Sequence, residues 1–267
     1  MKTSLISLLL FFGPIWAQTP SAPQNPVEDL RNLQQGSFAV GEKLHFSIRY
    51  GLIRAGVATV GVESITERAG RPVYKVVGTG RSVGMAEWFF KTRDRYESYI
   101  DTEALVPWEF IRDVNEGGYE IQRHLIFDQY AQTVKDLEAP QKGTMTYAPY
   151  AQDMISSFYY ARAFDTDQLK PGMDIDFTMF LDHEQFPFKL RLLRREKLKT
   201  DFGELDCLVF RPALQKGRVF KDEESMTIWV TDDANKIPVL IKSDLLIGSI
   251  KVELVDHEGL KHPIGRK

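Results

Sequence analysis

The chain of 267 residues has a single cysteine, Cys207, so no internal disulfide can brace it, and a fold kept outside the reducing cytoplasm must rest on packing. Metal-ligand spacings are also missing. The five histidines, His45, His124, His183, His257 and His262, form neither H-x-x-x-H nor H-E-x-x-H. No second cysteine joins them, so neither a zinc site nor any other cofactor is expected. Asp182-His183-Glu184 offers ligand types, but consecutive strand residues point to opposite faces, and the triplet reads as a polar turn. A basic excess is lacking as well: formal net charge is −3, with the basic residues scattered. Nucleic acid is therefore excluded as the expected partner.

Long apolar runs are absent too. The stretch from Leu5 to Phe12 is too short to span a bilayer, which takes about 20 residues. It follows Lys2 and precedes Gly13-Pro14 and Ile15-Trp16-Ala17, which is the layout of a cleavable secretory signal over residues 1–17, cut after Ala17. Ile15 stands where a smaller residue is usual, so a retained anchor is the alternative. With no cysteine near the cut, the new N-terminus cannot be acylated as a lipoprotein's would be. Nothing after it reads as a transmembrane span, which places the protein in the periplasm or outside the cell.

Residues 18–37 hold Pro20, Pro23 and Pro26 with little apolar content and read as a flexible arm. From Gly41 the pattern becomes period two, the mark of half-buried strands: Leu44, Phe46, Ile48 and Tyr50, then Ala58, Val60 and Val62, and so on to Ile250–Leu254. Short links rich in Gly, Asp and Asn make the neighbours antiparallel. Only 85–91 and 153–164 look helical, the second with Met154, Phe158 and Ala161 on one side. The count is on the order of 11 to 14 strands, more than the roughly eight whose own side chains fill a closed barrel. The expectation is one mainly-β domain over 38–258, with a tail at 259–267. Its sheet is a curved antiparallel one, an open half-barrel with the helix in or over its concavity; a two-layer β-sandwich is the alternative.

Several motifs carry possible chemistry. Gly80-Arg81-Ser82-Val83-Gly84 satisfies G-x-S-x-G between a strand and a short helix, so Ser82 with His257 is a candidate hydrolase pair. Against it, that fold needs parallel strands with helical crossovers, and Ser82 reads equally as turn punctuation. Cys207 alternates with Leu205 and Val209 and reads as a buried, inert thiol. The clusters Arg93-Asp94-Arg95-Tyr96-Glu97 and Arg112-Asp113 with Glu116 suggest paired carboxylates, but flanking arginines should hold them ionised, which favours salt bridges. Trp88, Phe89, Met154, Phe158 and Tyr159, on or beside the two helices, are candidate binding residues for a lipidic or other apolar ligand.

Some of these segments resemble an exported bacterial family, domain of unknown function 3108. They include Gly41-Glu42-Lys43-Leu44, Tyr50 to Gly56, Lys91 to Asp101, Arg112 to Tyr119, Asp153-Met154 with Tyr159-Tyr160-Ala161-Arg162, and Ile228 to Asp233 with Ile237-Pro238. The resemblance implies an envelope-facing β protein and transfers no catalytic residue. The expected function is a non-enzymatic envelope protein that binds an apolar or amphiphilic molecule such as a lipid. A serine hydrolase using Ser82, and a structural module that contacts envelope proteins, are the alternatives.

Protein recovered from the periplasm should begin at Gln18 on N-terminal sequencing; a start at Met1 would show that the segment is kept as an anchor.

Overall fold

The computed structural model describes residues 29–213 and 225–265; the signal segment 1–17 and the first part of the arm lie outside them. Fourteen strands follow in chain order: β1 (Lys43–Tyr50), β2 (Ile53–Arg68), β3 (Arg71–Ser82), β4 (Thr92–Asp101), β5 (Pro107–Glu116), β6 (Tyr119–Asp128), β7 (Thr133–Asp136), β8 (Thr144–Thr146), β9 (Asp174–Leu181), β10 (Glu184–Thr200), β11 (Gly203–Pro212), β12 (Met226–Thr231), β13 (Pro238–Asp244) and β14 (Ser249–Glu258). Two α-helices interrupt them, α1 (Met85–Phe89) and α2 (Met154–Ala161). No helix among the described residues is long and apolar enough to cross a membrane.

All fourteen strands form one sheet, in the order β8-β7-β6-β5-β4-β3-β2-β1-β14-β13-β12-β11-β10-β9. Two meanders, β1 to β8 and β9 to β14, meet where β1 pairs antiparallel with β14, Ile48 opposite Val252. The sandwich alternative is thereby set aside: there is one curled sheet, and its edges β8 and β9 do not pair with each other. The gap between them is bridged by other means. Gln152 pairs with the β9 edge through Gln152 N–H to Thr178 O at 2.8 Å and Phe180 N–H to Gln152 O at 2.8 Å. In addition, the β9–β10 turn reaches across to β5 and β7, where Arg112 donates to Asp182 at 3.1 Å and His183 meets Asp136 at 2.7 Å.

Antiparallel order puts alternate links at the same end. At the end where β1 finishes, here the upper end, lie the β1–β2 turn, the segment 83–91 with α1, the Gly117-Gly118 turn, the β9–β10 turn and the link 245–248.

Helix α2 fills part of the curl. Met154, Ile155 and Tyr159 are buried in a core with Val62, Val76, Ile100 and Phe110, each side chain of this size contributing about 1.5–3 kcal/mol by leaving water. Buried charge holds both ends of the helix. At its start Asp153 accepts from Ile155 N–H and Ser156 N–H, both at 2.7 Å, and from the Ser98 hydroxyl of β4 at 2.6 Å. Burial pushes the Asp153 carboxyl up to about 6 against these donors. Past its end, Arg162 forks onto the Glu42 carboxylate at 2.6 and 2.8 Å and donates to Asn235 O and Ser37 O.

The described parts of both terminal segments are held against the sheet. Of the arm at 18–37, the described part is docked: Arg31 donates to Ala104 O at 3.0 Å, and Ser37 donates to Arg162 O at 2.8 Å. The tail is likewise held, with His262 N–H on Asn235 and Gly265 N–H on Asp233. Both segments serve as covers for the lower end, because the curl leaves apolar residues there such as Leu205 and Ile237 that need a second layer.

Glu42→Gln should cost about 3–5 kcal/mol in chemical denaturation by leaving Arg162 buried and half-paired, while Glu42→Gln with Arg162→Met should recover much of that loss.

Candidate functional site

The interior is hollow because of which residues β2 and β3 point inward. Gly78, Gly80 and Ser82 alternate with outward Thr79 and Arg81, and across the ladder Val60 faces Gly78 and Ala58 faces Gly80. Three neighbouring wall positions therefore carry a methyl group or nothing. At Gly78 the missing side chain admits α2: a Cβ there would stand 3.2 Å from Ile155 Cδ1. Beyond the helix the space stays empty.

The cavity so formed has a volume of about 330 Å³. Its walls are Phe46, Ala58 and Gly80 on one side and Met154, Ile155 and Phe158 of α2 on another. Phe177 and Phe188 from β9–β10, Phe210 from β11 and Ile228 from β12 complete it. Ala58, Phe158, Phe177, Phe188 and Ile228 remain only half-buried although they face inward, as side chains lining unfilled space must be. Two cationic side chains reach the lining. Arg162 is saturated by Glu42 and two carbonyls, whereas Lys236 has no ion pair among the described residues.

Above the hollow a polar node is sealed inside the sheet. Asp94, Glu116 and Arg112 are buried side chains on the inner face of β4 and β5, with Arg112 turned to Asp182. The Asp94 carboxyl is pushed up to about 8, by burial first and then by the charge of Glu116, with which it hydrogen-bonds. This reverses the sequence expectation that flanking arginines hold it ionised. Arg93 and Arg95 point to the outer face, and neighbours in a strand do not share a side. Both carboxyl side chains are buried, and together they form a polar node between β4 and β5.

A family model described as "Protein of unknown function (DUF3108)" matches residues 45–255. The chain belongs to that family. No curated protein matches it. Among solved structures it is similar to a beta-barrel-like protein of domain of unknown function DUF1849 from Brucella abortus, at 11% identity and a TM-score of 0.53, covering 84% of this chain and 99% of that one. A protein of YmcC-like fold from Bacteroides fragilis aligns at 10% identity and a TM-score of 0.34, over 85% and 99% of the two chains. The first likeness shows the fold, a beta-barrel-like one, and no more.

In this member of the family the sequence candidates divide sharply. Met154 and Phe158 line the hollow. Tyr159 does not: it is fully buried in the core, edge-on to Phe38 at 4.7 Å, because it lies on the helix face turned toward the docked arm. Trp88 and Phe89 are outside, on α1 at the upper end, since five residues are too few for α1 to reach inward. Ser82 is buried, and its hydroxyl accepts Thr92 N–H at 2.9 Å. His257 sits near the lower end of β14 beside Leu44, its ring against Phe202, so the two hydrolase candidates occupy opposite ends of the sheet. Ser82 does stand between β3 and α1, but β3 is an antiparallel strand that returns through β4, and the serine hydroxyl is buried instead of presented at an elbow. Cys207 is buried, and burial pushes its thiol up to about 12, which leaves it protonated and unreactive. Sequence reading passed over Ala58, Gly78 and Gly80 as wall positions, although the spacing Gly-x-Gly-x-Ser was its signal.

A carboxyl whose folded value lies above its unfolded one costs stability as pH rises between the two, here from about 4 to about 8. Asp94→Asn, whose amide can donate to Glu116, should flatten that slope and stabilise the protein by more than about 1 kcal/mol at pH 8, measured by urea denaturation across pH. An unchanged slope would show that Asp94 is not the titrating group.

Proposed function

We propose that this protein is an exported envelope protein that binds an apolar or amphiphilic molecule, such as a lipid, in the hollow enclosed by α2, strands β1 to β3 and strands β9 to β14, without catalysing a reaction. The observation that carries this reading is the lining: a cavity of about 330 Å³ walled by aliphatic and aromatic side chains, open enough to leave several of them half-buried. Ligand sites span roughly 300–1,000 Å³ and are mostly apolar with few polar groups, and apolar cavities that water does not fill accept apolar guests. Affinity would come from apolar area leaving water at about 25 cal/mol per Å², less the cost of immobilising the guest. Lys236 supplies the one uncommitted positive charge on the lining, the place where an amphiphile's anionic group would rest. The segment at residues 1–17 supports an envelope location.

The test is to fill the hollow from its wall. Titration of a fluorescent fatty acid into the protein should give saturable binding that Ala58→Leu and Ile228→Phe each weaken at least about tenfold, with melting temperatures unchanged or raised, since both add apolar volume where none is displaced. Equal binding by both variants would place the ligand elsewhere.

A further inference from the structure

The six most exposed large apolar side chains among the described residues all stand at the upper end. Leu52 is 96% exposed, Trp88 90%, Phe89 88% and Ile247 80%, followed by Met85 and Leu246. They belong to three links that are neighbours in space. The β1–β2 turn touches the β13–β14 link through Gly51 N–H to Ser249 O at 2.9 Å and the Tyr50 hydroxyl to Ile247 O at 2.8 Å. Helix α1 packs beside β2, on the other side of the same turn. The result is one continuous apolar crest on a single end of the sheet. Solvation alone does not account for it, because isolated exposed apolar residues scatter whereas contiguous ones mark contact surfaces.

Behind the crest the charge is positive, on a chain whose net charge is −3. Arg54 and Arg81 lie one residue in from the upper ends of β2 and β3, Lys91 directly precedes β4, and Arg93 follows within it. All four are exposed. Arg54, Arg81 and Lys91 have no ion pair among the described residues, and Arg93 pairs with Glu87 of α1. Arg54, Arg81, Arg93 and Arg95 line one open groove of about 610 Å³ on the outer face, where Asp113 is the exposed acid. At about 3.3 Å per residue Arg54, Arg81 and Arg93 stand within roughly 7 Å of the strand ends, and Arg95, paired with Glu97, about 10 Å in.

We propose that the upper end docks on the surface of an anionic lipid bilayer, with the crest inserted at the boundary between headgroups and acyl chains and the arginines on lipid phosphates. The layering fits that occupant. Interfacial elements sink apolar side chains about 5–10 Å into the boundary and keep cations at headgroup depth, where tryptophan also settles. A protein partner would supply carboxylates to the groove and a matching apolar patch; a bilayer supplies both layers in the observed order. This goes beyond the binding of a guest in the hollow and rests on the crest and groove alone.

Vesicles test it directly. The sheet and its core are built from residue 29 onward, so the chain beginning at Gln18 keeps the described fold while removing the apolar segment at 5–12. Its tryptophans are Trp88, Trp108 and Trp229, and the latter two are buried, so quenching by brominated acyl chains reports Trp88. Co-sedimentation should show binding to phosphatidylglycerol vesicles, little to phosphatidylcholine vesicles, loss at high salt, and quenching of Trp88. Trp88→Ser with Phe89→Ser should weaken binding at least about tenfold. Arg54→Gln with Arg81→Gln should weaken it about 25-fold, from roughly fivefold per cation. Ile228→Phe, which alters the hollow and lies outside the groove, should leave vesicle binding unchanged, separating failure of the docking from failure of the carrier reading. Absence of binding to anionic vesicles, binding that survives both double variants, or a dimer in solution that the crest variants dissolve would each overturn the proposal.

Discussion

The buried fork between Arg162 and Glu42 sets where helix α2 lies, and the position of that helix decides what the interior is. Arg162 follows the last turn of α2 and Glu42 immediately precedes β1, so the pair fixes the helix end to the start of the first strand. Desolvating two charges is costly, and the bidentate geometry with added bonds to Ser37 O and Asn235 O is what offsets it. At the other end Asp153, bonded to Ser98, performs the matching task on β4. A helix pinned at two points packs against β4 and β9 instead of sliding to the centre. The hollow is the space this off-centre placement leaves.

The same two-residue periodicity produces the cavity, the sealed node and the basic groove. Along β3, inward Gly78 and Gly80 vacate the interior while outward Thr79 and Arg81 line the groove. Along β4, inward Asp94 is held protonated by burial near Glu116, while Arg93 and Arg95, one residue away on either side, stand in water. A sheet one residue thick can thus separate an apolar chamber from a cationic surface. Such separation suits the two roles proposed above.

Much of this could be read from the residues alone. Alternation in runs such as Leu44, Phe46, Ile48 identified the strands, and α2 fell where apolar spacing changed from two to nearly four. The resemblance through segments such as Tyr159-Tyr160-Ala161-Arg162 led to the family that the comparison confirms. What could not be read is long-range. Nothing local in the sequence tells Arg162 that its partner is Glu42, 120 residues away, or that β1 pairs with β14. Adjacent arginines in the chain are not adjacent in space to Asp94, and aromatic density carries no direction, so it does not separate Trp88 at the upper end from Phe158 in the hollow.

The most direct test of the account is the mass of the folded protein taken from its own envelope without detergent exchange, recorded under native and then denaturing conditions. A bound apolar molecule, present in the native spectrum and released on unfolding, is the predicted result. A bare polypeptide mass in both spectra would contradict the claim that the hollow is a site.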